Sequence, residues 1–246
     1  MAEAFALVLG AVVGSFLNVC IDRLPRGGSL MEPPSQCDSC GRRLTPLELI
    51  PVFSYLSLGG RCRTCRATIP ARVPIVEAAT AALYLLVVLR FGLSLAAGVG
   101  ALFVSVLVVV AGIDLEHHRI LNRLTYPAIA LAMVAAFLPG RPTLSLLVGG
   151  GIGAGALLLL ALVSPRAMGY GDVKLALFVG LILGYPLILV SLFVSFVIGG
   201  LSSAFLLAAR RLRLGQAVAF GPYLALGATV TYLYGASLLM WWLARV

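Results

Sequence analysis

The chain has 246 residues, of which 61% are hydrophobic and only 11% are charged. Soluble domains carry about 25% charged residues, so this composition excludes a water-soluble globule, and the high hydrophobicity excludes a disordered chain. A net charge of +9 would suggest nucleic acid in a soluble protein; in a membrane protein it marks cytoplasmic loops instead, so we expect no nucleic-acid partner.

The first apolar segment, at about residues 4–21, is predicted to be an uncleaved transmembrane helix. Its beginning carries Glu3 and no basic residue, whereas a secretory signal begins with a basic region. Seven further apolar runs follow the polar stretch 22–73, and each is a candidate membrane span. They lie at about 74–89, 94–113, 124–138, 144–163, 173–185, 187–209 and 218–244. Only Gly184-Tyr185-Pro186 separates the sixth span from the seventh, so a single kinked helix is the alternative there.

The distribution of basic residues predicts the orientation of these spans. If the stretch 22–73 is cytoplasmic, 15 of the 18 Lys and Arg residues fall on cytoplasmic segments, and only Arg90, Arg141 and Arg245 fall outside. The cytoplasmic segments are then 22–73, 114–123, 164–174 and 210–216. Because basic residues concentrate on cytoplasmic loops, we expect the N-terminus outside and the polar stretch inside.

Four cysteines in the polar stretch form two C-x2-C pairs, Cys37 with Cys40 and Cys62 with Cys65. Two pairs at this separation are typical of a tetrahedral structural zinc site. Two disulfides or four unliganded thiols are the alternatives, and the reducing cytoplasm disfavours disulfides. A metal would also supply folding energy that so small and polar a loop lacks. The predicted fold class is therefore an all-α polytopic membrane protein with about eight transmembrane helices and a small cytoplasmic zinc-binding loop between the first two.

Two aspartates stand where apolar segments meet the predicted cytoplasmic face. Asp114 ends the third span, and Asp172 opens the sixth after Gly169-Tyr170-Gly171. These glycines predict a close turn, or room for an extended substrate strand. Spans four and five separate them, so both aspartates lie on the same side at similar depth. Such residues are functional candidates, and two neighbouring carboxyls that share a proton can act as acid and base. A helix N-cap for Asp172 and an interfacial position for Asp114 are the alternatives.

Five segments carry motifs that recur together in one known family. In chain order they are Gly14-Ser15-Phe16-Leu17-Asn18-Val19 with Arg23-Leu24-Pro25-Arg26-Gly27, the cysteine pairs with Gly60-Arg61-Cys62 and Pro74-Ile75-Val76-Glu77, Ile113-Asp114-Leu115-Glu116, Gly169-Tyr170-Gly171-Asp172-Val173-Lys174-Leu175, and Phe220-Gly221-Pro222-Tyr223-Leu224-Ala225. This ordered set covers almost the whole chain. It resembles the type IV prepilin peptidase family, the bacterial leader peptidases of the GxGD aspartyl protease class.

The resemblance implies a membrane aspartyl endopeptidase of the bacterial inner membrane that cuts the basic leader from type IV prepilins or pseudopilins on the cytoplasmic side. By motif match, Asp114 and Asp172 would be the catalytic pair. The zinc ligands would be Cys37, Cys40, Cys62 and Cys65. The resemblance also implies N-methylation of the new amino terminus with S-adenosylmethionine. No glycine-rich fingerprint for that cofactor is present, so its binding residues are not predicted. The expected partners are prepilin or pseudopilin substrates and membrane lipid.

One stretch departs from the family pattern, since Leu121 and Asn122 stand where the family usually has Pro-Asp. The loop after Asp114 is therefore expected to differ. His117 and His118 are expected to be solvated loop residues, with electrostatic tuning of Asp114 or metal binding as the alternatives. The predicted organisation is a first transmembrane helix (1–21), a four-cysteine loop (22–73) and a seven-helix protease core (74–246). Two functions of other classes are the alternatives: an ion-coupled transporter that uses the two aspartates, and a non-catalytic zinc-loop scaffold.

Overall fold

The computed structural model describes residues 1–164, 168–211 and 218–245. The predicted cytoplasmic segments 164–174 and 210–216 therefore lie partly outside the described residues. Within those ranges the chain is helical and forms only two isolated β-bridges. The helices are α1 (Ala2–Arg23), α2 (Phe53–Ser57), α3 (Arg72–Phe91), α4 (Leu95–His117), α5 (Asn122–Ala136), α6 (Thr143–Val163), α7 (Tyr170–Leu183), α8 (Leu187–Ala208) and α9 (Gly221–Leu243), with a 3-10 turn over Pro46–Leu49.

Each of the eight predicted spans corresponds to one helix, α1 or one of α3 to α9, and the predicted all-helical membrane fold is confirmed. Among the described helices, all of these except α5 and α7 are long and apolar enough to cross a membrane. Helix α7 has 14 residues, and at 1.5 Å per residue it rises about 21 Å. That rise is less than the roughly 30 Å of a hydrocarbon core. Six of these eight described helices are therefore long and apolar enough for a complete span, and the predicted number of eight is approximate.

Helices α7 and α8 are separate, as the apolar pattern predicted. Gly184 ends α7 with a φ of +74°, a left-handed conformation that glycine adopts at little cost. Ser145 of α6 then holds the break, because its hydroxyl donates to the carbonyl of Tyr185 at 2.7 Å. In return, the Tyr185 N–H donates to the carbonyl of Ser145 at 3.0 Å.

The chain divides into two compact units, residues 1–109 and 110–246. In the first unit α1 packs along α3. The close approach depends on Gly14 of the amino-terminal motif, since a Cβ there would lie 2.8 Å from the Glu77 Cα. Asp22 at the end of α1 and Arg72 at the start of α3 form an ion pair at 2.6 Å, on the side from which the cysteine loop emerges.

In the second unit α7 lies at the centre and packs against α5, α6, α8 and α9. Glycines bring α6 and α7 into contact, since a Cβ on Gly180 would overlap the carbonyl of Gly149, and one on Gly153 would lie 2.7 Å from the Ala176 carbonyl oxygen. Membrane helices associate through such small residues because lipid provides no hydrophobic driving force between them. This packing fixes the first turn of α7, which carries Asp172.

Candidate functional site

Asp114 lies in the last turn of α4 and is 5% exposed. Its Oδ2 accepts a hydrogen bond from the backbone N–H of Gly221, the first residue of α9, at 3.0 Å. A Cβ on Gly221 would lie 2.6 Å from that oxygen, so the contact requires glycine. The sequence places Gly221 in a motif, but no pattern predicts the contact, because 107 residues separate the two.

Asp172 is the third residue of α7 and is 9% exposed. Its Oδ2 accepts from the Gly169 N–H at 3.1 Å, and its own N–H donates to the Gly169 carbonyl. The carboxyl thus closes the first turn of its own helix. In the part of the chain that the structure describes, Asp172 Oδ1 is buried with no hydrogen-bond partner. An unpaired buried carboxylate oxygen is costly, so this oxygen is placed to receive a water molecule or substrate.

The two aspartates line one cavity of about 390 Å³ in the second unit. Its remaining wall is the segment 118–122 between α4 and α5, together with the two glycines of the motif before Asp172. Gly169 has a φ of −87° and Gly171 is helical, so the backbone before Asp172 does not require glycine at either position, contrary to the expectation of a close turn. Gly171 instead allows Ile120 to pack closely against it, because a Cβ on residue 171 would lie 2.8 Å from the Ile120 Cβ.

The histidines after Asp114 differ partly from expectation. Helix α4 continues through His117, so this residue is helical. His118 is exposed at the cavity wall in a left-handed conformation (φ +50°), and its N–H donates to the Asp114 carbonyl at 2.9 Å. Its backbone turn thereby directs the segment 118–122 over the aspartate.

The departure from Pro-Asp leaves the local geometry compatible with the family pattern. Leu121 has a φ of −79°, close to the value that proline would fix. Asn122 Oδ1 accepts a hydrogen bond from Lys174 Nζ of α7. The neutral amide thus binds the ammonium group that the aspartate of the family pattern would attract at this position. The same ammonium lies 5.1 Å from the centroid of the Tyr126 ring, within range of a cation–π contact.

The four loop cysteines form a single cluster in the first unit. Their sulfur atoms all lie within 4.8 Å of one another, and Cys37 Sγ and Cys65 Sγ are 3.7 Å apart. Tetrahedral thiolate ligands at about 2.3 Å from zinc are separated by about 3.8 Å. A disulfide needs about 2.05 Å between sulfurs, and all four cysteines are free. The donor set and its spacing therefore fit a tetrahedral metal.

The two cysteine pairs have the same backbone geometry. The N–H of the first cysteine of each pair donates to the carbonyl five residues on, Cys37 to Arg42 and Cys62 to Ala67. The residue four positions after each first cysteine is left-handed, Gly41 at +67° and Arg66 at +59°. Each pair thus forms a matching knuckle that presents two sulfurs to a common centre.

Hydrogen bonds in the cluster favour a thiolate at Cys62, whereas burial and hydrogen bonds with the other three thiols raise the pKa of Cys65 to about 11. The backbone N–H groups of Cys65 and Thr64 lower the pKa of the Cys62 thiol from 9.0 to about 6. The Arg42 guanidinium lies near enough to the Cys62 thiol to interact with its charge. It also pairs with Glu48 at 2.5 Å, and this pair lowers the pKa of Glu48 to about 2. The deprotonated thiol is the form that binds metal.

Comparison with known proteins gives full-length relatives. Two family models match, the Bacterial Peptidase A24 N-terminal domain over residues 8–91 and the Type IV leader peptidase family over residues 101–204. A protein of Bacillus subtilis (strain 168) is 33% identical over 239 residues, 96% of each chain. A protein of Pseudomonas aeruginosa is 32% identical, and the match covers 93% of this chain and 89% of that protein. A protein of Aeromonas hydrophila is 33% identical, and the match covers 98% of this chain and 94% of that protein. All three are named prepilin leader peptidase/N-methyltransferase. No solved structure matches the chain.

Proposed function

This chain belongs to the type IV leader peptidase family, and on that premise we propose that it is a membrane aspartyl endopeptidase that removes the leader of type IV prepilins or pseudopilins. The observation that supports the proposal is the cavity that Asp114 and Asp172 share, with both carboxyls buried. The name of the relatives gives the substrate class.

The two carboxyls would act as one acid–base pair. Like charges at short range cannot both ionise, so one carboxyl keeps its proton. The ionised partner takes a proton from a water molecule, which then attacks the scissile carbonyl carbon. The protonated partner donates a hydrogen bond to the carbonyl oxygen and stabilises the charge that develops there. Backbone N–H groups of Gly221 and Gly169 hold one oxygen of each carboxyl in place.

Cleavage of a purified prepilin in lipid vesicles tests this pair. We expect Asp114→Asn and Asp172→Asn each to lower the rate at least about a hundredfold, since removal of an acid–base catalyst costs 10²–10⁴-fold. Glu116→Gln is the matched control, an exposed carboxyl of the same helix outside the cavity, and it should keep the wild-type rate. Full cleavage by both Asn variants would exclude the pair. A wild-type protein that cleaves no prepilin would favour the transporter or scaffold alternative.

The cysteine cluster is proposed to hold a structural zinc ion through Cys37, Cys40, Cys62 and Cys65. The spacing of the four sulfur atoms and the absence of a disulfide among these cysteines support it. A bound zinc ion would join the two knuckles of a loop that has little core of its own. Arg42 would then stabilise the centre through its contacts with Cys62 and Glu48.

Methylation of the new amino terminus with S-adenosylmethionine is proposed as the second activity, since the relatives are named for it. We further propose a multi-pass inner-membrane topology with the N-terminus outside and both the cysteine loop and the aspartates on the cytoplasmic side. In this arrangement residues 22–73 form a zinc-bearing module between the first helix, residues 1–21, and a seven-helix core, residues 74–246. Membrane lipid surrounds the helices.

A further inference from the structure

Part of the cysteine loop is apolar and exposed. Residues 46–57, which we name the apolar corner, comprise the 3-10 turn Pro46–Leu49, a bend and α2. Leu47, Phe53 and Leu56 are 71%, 66% and 69% exposed. The single charged side chain of the segment, Glu48, is paired with Arg42. Contiguous apolar surface of this kind marks a contact with a partner or a membrane.

The backbone of the apolar corner reaches down beside the membrane helices. Val52 N–H donates to Glu77 Oε2 of α3 at 2.6 Å. Glu77 lies five residues after Arg72, whose pair with Asp22 marks the loop ends of α1 and α3. At 1.5 Å per residue this places Glu77 about 7.5 Å along the helix toward the membrane interior. Val52 therefore lies beside the first turns of α3, within reach of the Glu77 side chain.

The partner of Val52 fits a site without water. Glu77 is only 5% exposed although it is charged in its ordinary state. In lipid, a backbone N–H must find a partner within the protein, and the Glu77 carboxyl supplies it. Val52 also has a φ of +61°, which is uncommon for a β-branched residue. The contact with Glu77 therefore holds a sharp bend beside α3.

The apolar corner is continuous with the outer face of α1. A cavity of about 340 Å³ lies beside both, and its lining includes Val12, Phe16 and Val19 of α1, most of the segment 30–35, and Leu49 and Pro51 of the corner. Val12 and Phe16 are 54% and 51% exposed on a helix that is apolar enough to span a membrane. The lipid-facing surface of α1 thus extends onto the loop.

Arginines flank the apolar corner on both sides in sequence. Arg42 and Arg43 precede it, and Arg61, Arg63 and Arg66 follow it. The loop 22–73 holds eight arginines against four acidic residues. Apolar side chains bordered by such cations are typical of segments that lie in the interface of an anionic membrane.

We propose that residues 46–57 are a membrane-interface anchor, which inserts Leu47, Phe53 and Leu56 among the acyl chains next to the headgroups of an anionic leaflet. The anchor holds the four-cysteine centre against the membrane surface through Arg42, Glu48 and the Val52–Glu77 contact. This inference is independent of the peptidase activity.

Tryptophan fluorescence of the full chain in vesicles of phosphatidylglycerol and phosphatidylethanolamine tests the anchor. Trp241→Phe and Trp242→Phe remove the two native tryptophans, and Phe53→Trp or Leu56→Trp then supplies a single reporter. We expect about twofold quenching by lipids brominated near the headgroup end of the acyl chain, less by lipids brominated near the terminal methyl, and shielding from iodide. Thr68→Trp, at an exposed polar loop position, is the control and should be quenched by iodide.

Quenching of both reporters by iodide and by neither bromolipid would overturn the proposal. A second result would also overturn it: the reporters are shielded from iodide but not quenched by either bromolipid, and the shielding is lost when the protein is diluted in lipid. A second copy of the chain, rather than lipid, would then cover the corner. Size-exclusion chromatography and circular dichroism establish folding of each variant. If one variant does not fold, Leu47→Trp replaces it with the same expected outcome.

Discussion

At the scale of single residues, the environment of Asp114 depends on a backbone group from the far end of the chain. Gly221 donates its N–H to the carboxyl and leaves no room for a side chain of its own. The Pro that follows at position 222 belongs to the first turn of α9, where its fixed φ suits the helix. The orientation of Asp114 is thus set by the way in which α9 begins.

Gly221→Ala should therefore impair cleavage. The added Cβ would lie 2.6 Å from Asp114 Oδ2 and force the carboxyl or α9 to move. A displacement of about 1 Å in a catalytic group can reduce the rate about a hundredfold, so we expect a loss of that order in kcat for prepilin cleavage. Gly200→Ala, where a Cβ meets no atom within 4 Å, should cleave at the wild-type rate. Equal rates for the two variants would show that Gly221 does not position Asp114.

The side chains of the proposed chemistry were singled out in the sequence by their type and spacing, and the structure brings the two aspartates to one cavity and the four cysteines to one cluster. Asp114, Asp172 and the cysteine pairs stand out in an apolar chain by their identity alone. The contact of Gly221 with Asp114 and that of Lys174 with Asn122 could not be predicted from the sequence, because each joins residues from distant parts of the chain. The contact of Gly171 with Ile120 could not be predicted either, because a sequence does not show which side chain approaches a glycine.

At the scale of elements, the close contact of α6 with α7 makes the second unit sensitive to small changes. Gly180→Ala places a methyl group against the Gly149 carbonyl, and overpacking of this kind costs about 1–3 kcal/mol or more. Thermal unfolding in detergent should therefore show a lower Tm for Gly180→Ala. Gly151→Ala, on the open face of α6, should match or exceed wild type, because alanine is favoured over glycine in a helix by about 0.5–1 kcal/mol. The reverse order would contradict the observed packing.

The cysteine loop is expected to bind one zinc ion per chain. Metal analysis of the purified protein should find it, and Cys40→Ser with Cys65→Ser should abolish it, because two ligands do not hold a structural site. Removal of the ion by a chelator should increase proteolysis within residues 22–73, since the metal contributes folding energy. Cys20→Ala changes a buried cysteine of α1 and should leave the zinc content unchanged. A zinc-free wild type with intact thiols would refute the site.

Helix positions and approximate lengths were predictable from hydropathy, whereas the packing of the helices was not. The apolar pattern located eight helices and the break at Gly184, because glycine and proline interrupt apolar runs there. It also gave α5 and α7 as short, since the apolar runs 124–138 and 173–185 correspond to helices of 15 and 14 residues. The short α7 is surrounded by four other helices, and such tertiary packing is absent from a hydropathy profile. The knuckle geometry of the loop likewise depends on backbone turns that the spacing of cysteines only suggests.

At the scale of the whole molecule, the asymmetry of basic residues predicts where each end lies. Eight crossings with the stretch 22–73 inside place both termini outside. A C-terminal fusion to alkaline phosphatase should therefore be active, whereas a fusion after Gly28 should be inactive. Fluorescent-protein fusions at the same points should give the opposite pattern. An active phosphatase after Gly28 would reverse the orientation, and an inactive C-terminal fusion would mean an odd number of crossings.

The proposed second activity is a separate prediction for the complete protein. When S-adenosylmethionine is supplied with a prepilin, mass spectrometry of the cleaved product should show one added methyl group at the new amino terminus. Omission of S-adenosylmethionine is the control and should give the unmodified product at the same extent of cleavage. Complete cleavage without methylation in the presence of the cofactor would leave the protein a peptidase alone.

The way in which each aspartate is held has a consequence for inhibitor design. Asp114 and Asp172 each give one oxygen to a backbone N–H, so each offers a single remaining oxygen to a ligand in the cavity. Under the proposed mechanism, a compound with one hydroxyl in place of the scissile carbonyl would contact both oxygens at once. The segment 118–122 and Gly171, which form the wall beside them, would then decide which substituents on either side of that hydroxyl are accepted.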